Sequence, residues 1–168
     1  MKITMHAMTV DSATAGLKVL SELLDKGLAH AEAKKFDASV LANARLAPDM
    51  LPLTKQVQIA CDMVKNGAAR LAGIEAPRFE DDETTIGELK ARIARTIDFI
   101  SSIPANAFEA SEDRDIKVPL RDRTLEMKGL PFLRTWVIPN FWFHVVTTYA
   151  LLRHNGVELG KRDFLGGI

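Results

Sequence analysis

The sequence predicts an all-α protein: one domain over residues 1–168, an antiparallel four-helix bundle with a small β-hairpin before the last helix. Three observations predict it. Four long segments carry apolar residues at spacings of three and four, the period of a helix with one buried face. Prolines, glycines and an acidic run separate those segments. One late stretch alternates apolar and polar residues, which is the period of a strand.

The first helix is expected from about Val10 to Lys35, with Val10, Ala13, Leu17, Leu20, Leu24, Leu28 and Ala31 on one stripe. Phe36 to Leu46 reads either way, and Asp37 can cap a short turn there. Pro52 marks the start of the second helix, because proline suits a first helical turn. Its stripe is Leu53, Val57, Ala60, Val64, Ala68 and Leu71, and Gly73 stops it. Pro77 and the acidic run Glu80 to Glu83 form the next connection. Thr85 and Glu88 match a capping box, which opens the third helix. Ile86, Leu89, Ile93, Ile97 and Ile100 follow at helical spacing. Ile116 to Lys128 alternates and predicts the hairpin, turning at Arg121-Asp122-Arg123. The last helix is expected from about Pro131 to Asn155, bent or divided at Pro139 and closed by Gly156. The tail from Val157 to Ile168 is expected to pack back without forming another element.

Composition narrows the function class. The chain has 168 residues, 47% hydrophobic and 26% charged, as expected of one globular domain. Lys+Arg and Asp+Glu are both 22, so the formal net charge is zero. A nucleic-acid partner is not expected, because phosphate neutralisation needs a basic surplus or stripe. The single cysteine, Cys61, permits no internal disulfide and fits a reducing, cytoplasmic compartment. Met1 to Val10 lacks the apolar core of a secretory signal. The apolar stretch from Trp136 to Val146 is too short to span a membrane, so no membrane partner is expected.

The candidate site lies on the last helix. At about 100° per residue, Val137, Phe141 and Leu151 surround His144 on one face. Asn140, Thr147 and Thr148 share that face, and Asn140 and His144 are neighbours on adjacent turns. A buried polar group left unpaired costs roughly 1–3 kcal/mol, so the cluster must be satisfied or line a pocket. Three readings follow. His144 bonds Asn140 or a backbone carbonyl while the threonines bond back to the previous turn; or the cluster lines a ligand pocket between helices; or it contributes to a metal site. The last is weak, since zinc-type sites want three or more His, Cys or carboxylate ligands and this helix offers only His144.

Other residues are weighed beside the cluster. His6 lies on the extension of the first stripe, or at a loosely held terminus. Gln56 and Cys61 flank the core stripe of the second helix. Cys61 has no basic sequence neighbour to lower its pKa. Asp62 projects away from the stripe and reads as solvated, and His30 and His154 read as surface residues. Trp142 and Tyr149 lie opposite His144, with Val146 and Ile59 on outer sides. Apolar groups on both sides of a helix predict a second buried surface, a homodimer contact, with hairpin or tail packing as the competing explanation.

The run from Asn140 to Val157, together with Leu159 to Gly166, resembles a bacterial family known only as a domain of unknown function. Gln56 to Ala60 and Arg70 to Gly73 fit it too, so the resemblance covers almost the whole chain. That family is similar to the DinB/YfiT-like four-helix bundles. The resemblance implies a DinB-like bundle, often dimeric, with a divalent metal such as nickel or zinc held by one His on the second helix and a His-x-x-x-His pair on the last. Thiol-dependent transferases are among the relatives. Here the last-helix pair is Asn140 and His144, and Gln56 or Gln58 stands near the place of the second-helix histidine. The implied metal site is incomplete.

Two expectations result. One is a homodimer with a polar site around His144, Asn140, Gln56 and Thr148 that binds a small ligand. The other is a metal-dependent transferase or hydrolase using His144 as general base or sole strong metal ligand.

Overall fold

The structure is a computed structural model and describes residues 3–167; Met1, Lys2 and Ile168 lie outside the described residues. Helical conformation begins at Met5, earlier than the stripe predicts. It passes through a π-helical turn at Ala7–Asp11 into α1 (Ser12–Lys34), which Lys35 closes in the left-handed conformation at φ 59°. The ambiguous stretch holds a short α2 (Ser39–Asn43), where the Asp37 carboxylate accepts the Ser39 N–H at 2.8 Å.

Pro52 immediately precedes α3 (Leu53–Ala72), and Gly73 ends it at φ 72°. The connection 73–85 leads to α4 (Ile86–Ser102), which the capping box opens as predicted. The Thr85 hydroxyl accepts the Glu88 N–H, and the Glu88 carboxylate accepts the N–H groups of Thr84 and Thr85. Those backbone donors hold the Glu88 carboxyl down to about 2. Strands β1 (Asp115–Pro119) and β2 (Thr124–Lys128) pair antiparallel with Ile116 opposite Met127 and Val118 opposite Leu125. Ile116 and Val118 point inward, and the pairs Lys117–Glu126 and Lys128–Asp115 decorate the wet face.

β2 runs without a loop into α5 (Gly129–Phe132), a π-helical turn at Leu133–Val137 and α6 (Ile138–His154). The π turn precedes Pro139 and accommodates a residue that has no N–H to give the helix ladder. Gly156, at φ 87°, follows the end of α6. The expectation that the tail forms no further element is corrected, although it does pack back: Lys161–Phe164 forms α7, whose Asp163 side chain accepts the Gly160 N–H at 2.7 Å.

Residue pairs across the bundle set the helix directions. Gly16 faces Phe141 and Gly27 faces Leu152, so α1 and α6 run parallel. Gln56 faces His144 and Gly67 faces Val137, so α3 opposes α6. Asp25 pairs with Lys90 while Val10 and Thr14 lie beside Ser101, so α4 opposes α1. Two helices therefore run each way, and the long 73–85 connection carries the chain back along α3 so that α3 and α4 share a direction. Around the bundle the order is α1, α4, α3, α6. The predicted stripes form its centre: Leu17, Leu20, Leu24, Leu53, Val57, Leu71 and Leu89 are all fully buried.

α7 packs against the bundle. Phe164 lies 5.7 Å from Trp142 and 5.9 Å from Tyr149, ring centre to ring centre, and Asp163 meets Lys26 of α1 at 2.6 Å. The Trp142 and Tyr149 side of α6 is thus covered by the chain's own tail. Phe143 and Val146, on the outward side of α6, remain 57% and 48% exposed. Among the described residues, no helix is long and apolar enough to cross a membrane.

Candidate functional site

The site begins with a close helix approach. A Cβ on Gly67 would lie 2.8 Å from Val137 Cγ1, so only glycine lets α3 and α6 pack this tightly. About three turns away, near the start of α3, Gln56 meets His144, with Gln56 Oε1 2.7 Å from His144 Nδ1. Gln56 Nε2 donates to the Leu51 carbonyl at 3.0 Å, which turns Oε1 toward the imidazole. An amide oxygen only accepts, so Nδ1 carries the ring proton and Nε2 keeps its lone pair. Burial lowers the His144 pKa, since the charged ring loses solvation. His144 is therefore a neutral imidazole of defined tautomer, buried but for one edge.

The rest of the cluster turns inward on its own helix. Asn140 Nδ2 donates to the Trp136 carbonyl at 2.7 Å, Thr147 Oγ1 to Phe143 at 2.7 Å, and Thr148 Oγ1 to His144 at 2.9 Å. These back-bonds satisfy the polar groups locally. The expected bond from His144 to Asn140 or to a backbone carbonyl is corrected: the Asn140 amide donates to the preceding turn, and the imidazole turns across to Gln56 of α3. Gln56 is no boundary residue: it is 2% exposed and fully engaged. Gln58 lies on another side of α3, where Nε2 donates to Glu83 at 2.9 Å. Cys61 is buried, and burial pushes its thiol up to about 12, so it is inert. His6 sits edge-on to Phe108 rather than near His144, and His30 packs beside Phe36.

A second polar centre escaped the sequence reading. Arg92 of α4 is wholly buried. Its guanidinium donates to both Glu83 oxygens at 3.0 and 3.2 Å and to the Glu80 carbonyl at 2.9 Å. It also meets Asp62 and Asp81, each at 3.0 Å. Lys65 joins Asp62 at 2.9 Å and Arg95 joins Glu83 at 3.1 Å. Phe79 lies beneath all three cations, with Lys65 4.3 Å from its ring centre. The expected solvation of Asp62 is corrected: two cations hold it half-buried. Lys55 adds a fourth cation, 3.3 Å from Asp81, and the network pins the 73–85 connection onto α3 and α4. Its signal was present in the sequence, since Arg92 and Thr96 stand one turn apart beside the Leu89–Ile93 stripe, and the run Glu80 to Glu83 is acidic.

The family model described as Domain of unknown function (DUF1993) matches residues 5–165. The chain belongs to this family. None of the curated proteins matches it. Among solved structures, the DUF1993 chain is similar to a DinB family member protein from Shewanella denitrificans. The two are 42% identical with a TM-score of 0.91, over 97% of this chain and 92% of that one.

The DinB-like fold raises the question of a metal, and the residues present do not fit one. At the place where three donors would converge, the DUF1993 chain offers one imidazole and two amides. Gln56 Oε1 already accepts from His144, and Asn140 is committed to Trp136. Among the described residues, no group of three or more His, Cys, Asp and Glu side chains can hold an ion. Chemistry at this site must be read from His144 itself.

Burial of His144 has a measurable consequence. Its folded pKa lies below the ordinary value of 6.5. The unfolded chain therefore binds the proton first on acidification, so stability is full above pH 6.5 and declines as pH falls toward the lowered folded pKa. Urea unfolding of the wild type against His144→Gln is expected to show this: the gap between wild type and variant narrows from pH 7.5 to pH 5. A gap that is constant or wider at pH 5 would contradict a neutral, desolvated ring.

Proposed function

We propose that this DUF1993 protein is a homodimer that binds a small hydrogen-bond-donating ligand at His144 without a metal ion. The observation that carries the reading is the fixed tautomer. With Nδ1–H held by Gln56, and Gln56 held by Leu51, Nε2 presents a lone pair in one direction at no ordering cost on binding. The ring of Phe143 stands edge-on to that of His144, 5.2 Å away centre to centre. An N–H or O–H of a ligand would donate to Nε2, and a neutral imidazole could also take up that proton. The alternative, a metal-dependent transferase or hydrolase, requires Gln56 and Asn140 to give up the bonds they make.

The homodimer rests on the uncovered side of α6. Phe143 and Val146 are three residues apart on one face, and neither is covered by the tail. An isologous contact along that face would bury both.

One sample tests both parts. Phenol and anisole, alike except for the donor, are titrated into 15N-labelled protein. The His144 Nε2 resonance is expected to move with phenol and stay with anisole, and Gln56→Leu is expected to abolish the phenol shift. A response that is absent or equal for both probes defeats the ligand reading. Light scattering is expected to return twice the 18.6 kDa chain mass, and half that for Phe143→Asp/Val146→Asp. A monomeric wild type defeats the dimer.

A further inference from the structure

We infer that the amino-terminal end of the bundle holds a second binding site, shaped for a small organic monocation with an apolar body. A cavity of about 580 Å³ opens between the segment leading into α1 and the turns that follow α4. That is the size of a pocket for a small organic ligand. It is separate from His144. Gly16 of α1 is level with Phe141, so Met8 lies roughly three helical turns, about 16 Å, from the level of His144.

The floor is apolar and soft. Met5 and Phe108 are buried, and Met8 and Leu130 flank them. Unbranched thioether side chains adapt to ligands of differing shape and make favourable contacts with aromatic rings. The His6 imidazole stands edge-on to Phe108 at 5.4 Å and forms one wall. The rim carries two carboxylates, Glu109 and Glu112. Neither has an ion-pair partner among the described residues, so both charges are available to a ligand at the rim. Apolar depth with a doubly acidic rim complements an ammonium group on an aromatic or aliphatic body and repels an anion.

The backbone around the cavity is irregular on both sides. Ala110, between the two acids, takes the left-handed conformation at φ 55°, ψ 17°, which is unfavourable for a residue with a Cβ. This twist lets Glu109 and Glu112 both line the cavity although a buried Ser111 separates Ala110 from Glu112. Opposite them, the π-helical turn at Ala7–Asp11 begins between His6 and Met8 and widens the helix where those two residues line the opening. Strained and π-helical backbone is held in place only by its surroundings, and it gathers at binding sites. Here both irregularities border the same cavity.

The test uses three probes of similar size and different charge: 2-phenylethylammonium, 2-phenylethanol and phenylacetate, titrated calorimetrically into the full chain. The ammonium is expected to bind at least about tenfold more tightly than the alcohol, and phenylacetate most weakly. Glu109→Gln/Glu112→Gln is expected to erase the ammonium preference while leaving the alcohol affinity and the melting temperature unchanged. Ala105→Trp, at the exposed lip, is expected to block all three probes without unfolding the protein. Equal affinities for the three probes would overturn the proposal. So would an ammonium preference that survives removal of both acids, or binding undiminished by Ala105→Trp.

Discussion

Arg92→Met is expected to lower the free energy of unfolding by about 3–5 kcal/mol. The reason is asymmetric desolvation. Methionine fills much of the arginine stem's volume, so the loss of packing is small. What remains is Glu83, 6% exposed, with the guanidinium that compensated it gone. Arg95 and Gln58 still donate to Glu83, but Arg95 is half in water and Gln58 is neutral. Asp62 and Asp81 lose the same partner. Adding Glu83→Gln to Arg92→Met is expected to recover a substantial part of the loss, because the buried charge disappears with its partner. Urea unfolding of the two single variants and the double variant gives the coupling. Hydrogen exchange of residues 77–83 should rise in Arg92→Met before global unfolding, since the network holds that connection to the bundle. Purely additive effects would show that Arg92 stabilises through packing alone.

Gly129→Ala is the second large effect, expected at about 3 kcal/mol, the upper part of the range for overpacking. A Cβ at this position would lie 1.8 Å from the Ser111 carbonyl oxygen and 3.1 Å from a Leu71 methyl. The first contact is with backbone and cannot be relieved by a rotamer. It arises because β2 passes into α5 with no intervening loop, and the junction packs directly on the Ser111–Asp113 turn. Either α5 or that turn must shift, and the turn carries Glu112 at the cavity rim. The melting temperature of Gly129→Ala should fall by several degrees, by roughly 4–8 °C per kcal/mol for a small domain and less for one of this size. By contrast, Gly87→Ala meets only the Thr85 hydroxyl, at 3.9 Å, and is expected to be tolerated. Equal melting temperatures for the two variants would refute the steric account.

How much of the fold could be read beforehand depended on the range of the interaction involved. The stripes of α1, α3 and α4, the Thr85–Glu88 box and the alternation of the hairpin are local patterns, and the structure contains them. The helix directions are not local. A crossing connection such as 73–85 has the composition of any polar loop, so the parallel run of α3 and α4 had no linear signal. The short α7 was missed for a related reason: its stability comes from Phe164 lodged against Trp142 and Tyr149, residues distant in the chain.

The candidate site divides in the same way. His144, Asn140, Thr147 and Thr148 share a face in projection, and they share it in the structure. Projection along one helix cannot show which partner each side chain prefers. Asn140 took its own backbone, while His144 reached across to Gln56 on the facing helix. Arg92 shows the opposite error. A charged residue beside an apolar stripe is usually solvated, and its burial became intelligible only when Glu83, Asp62 and Asp81 were found to converge on it from two other segments.

Short-range periodicity therefore determined the four helices, the hairpin, their capping and the face on which the His144 cluster lies, because hydrophobic spacing and backbone hydrogen bonding act within a few residues. Tertiary structure alone decided which histidine nitrogen carries the proton, which acids surround Arg92 and that a cavity opens beside His6. Each of these depends on groups separated widely in the chain, brought together only once the apolar faces had been buried.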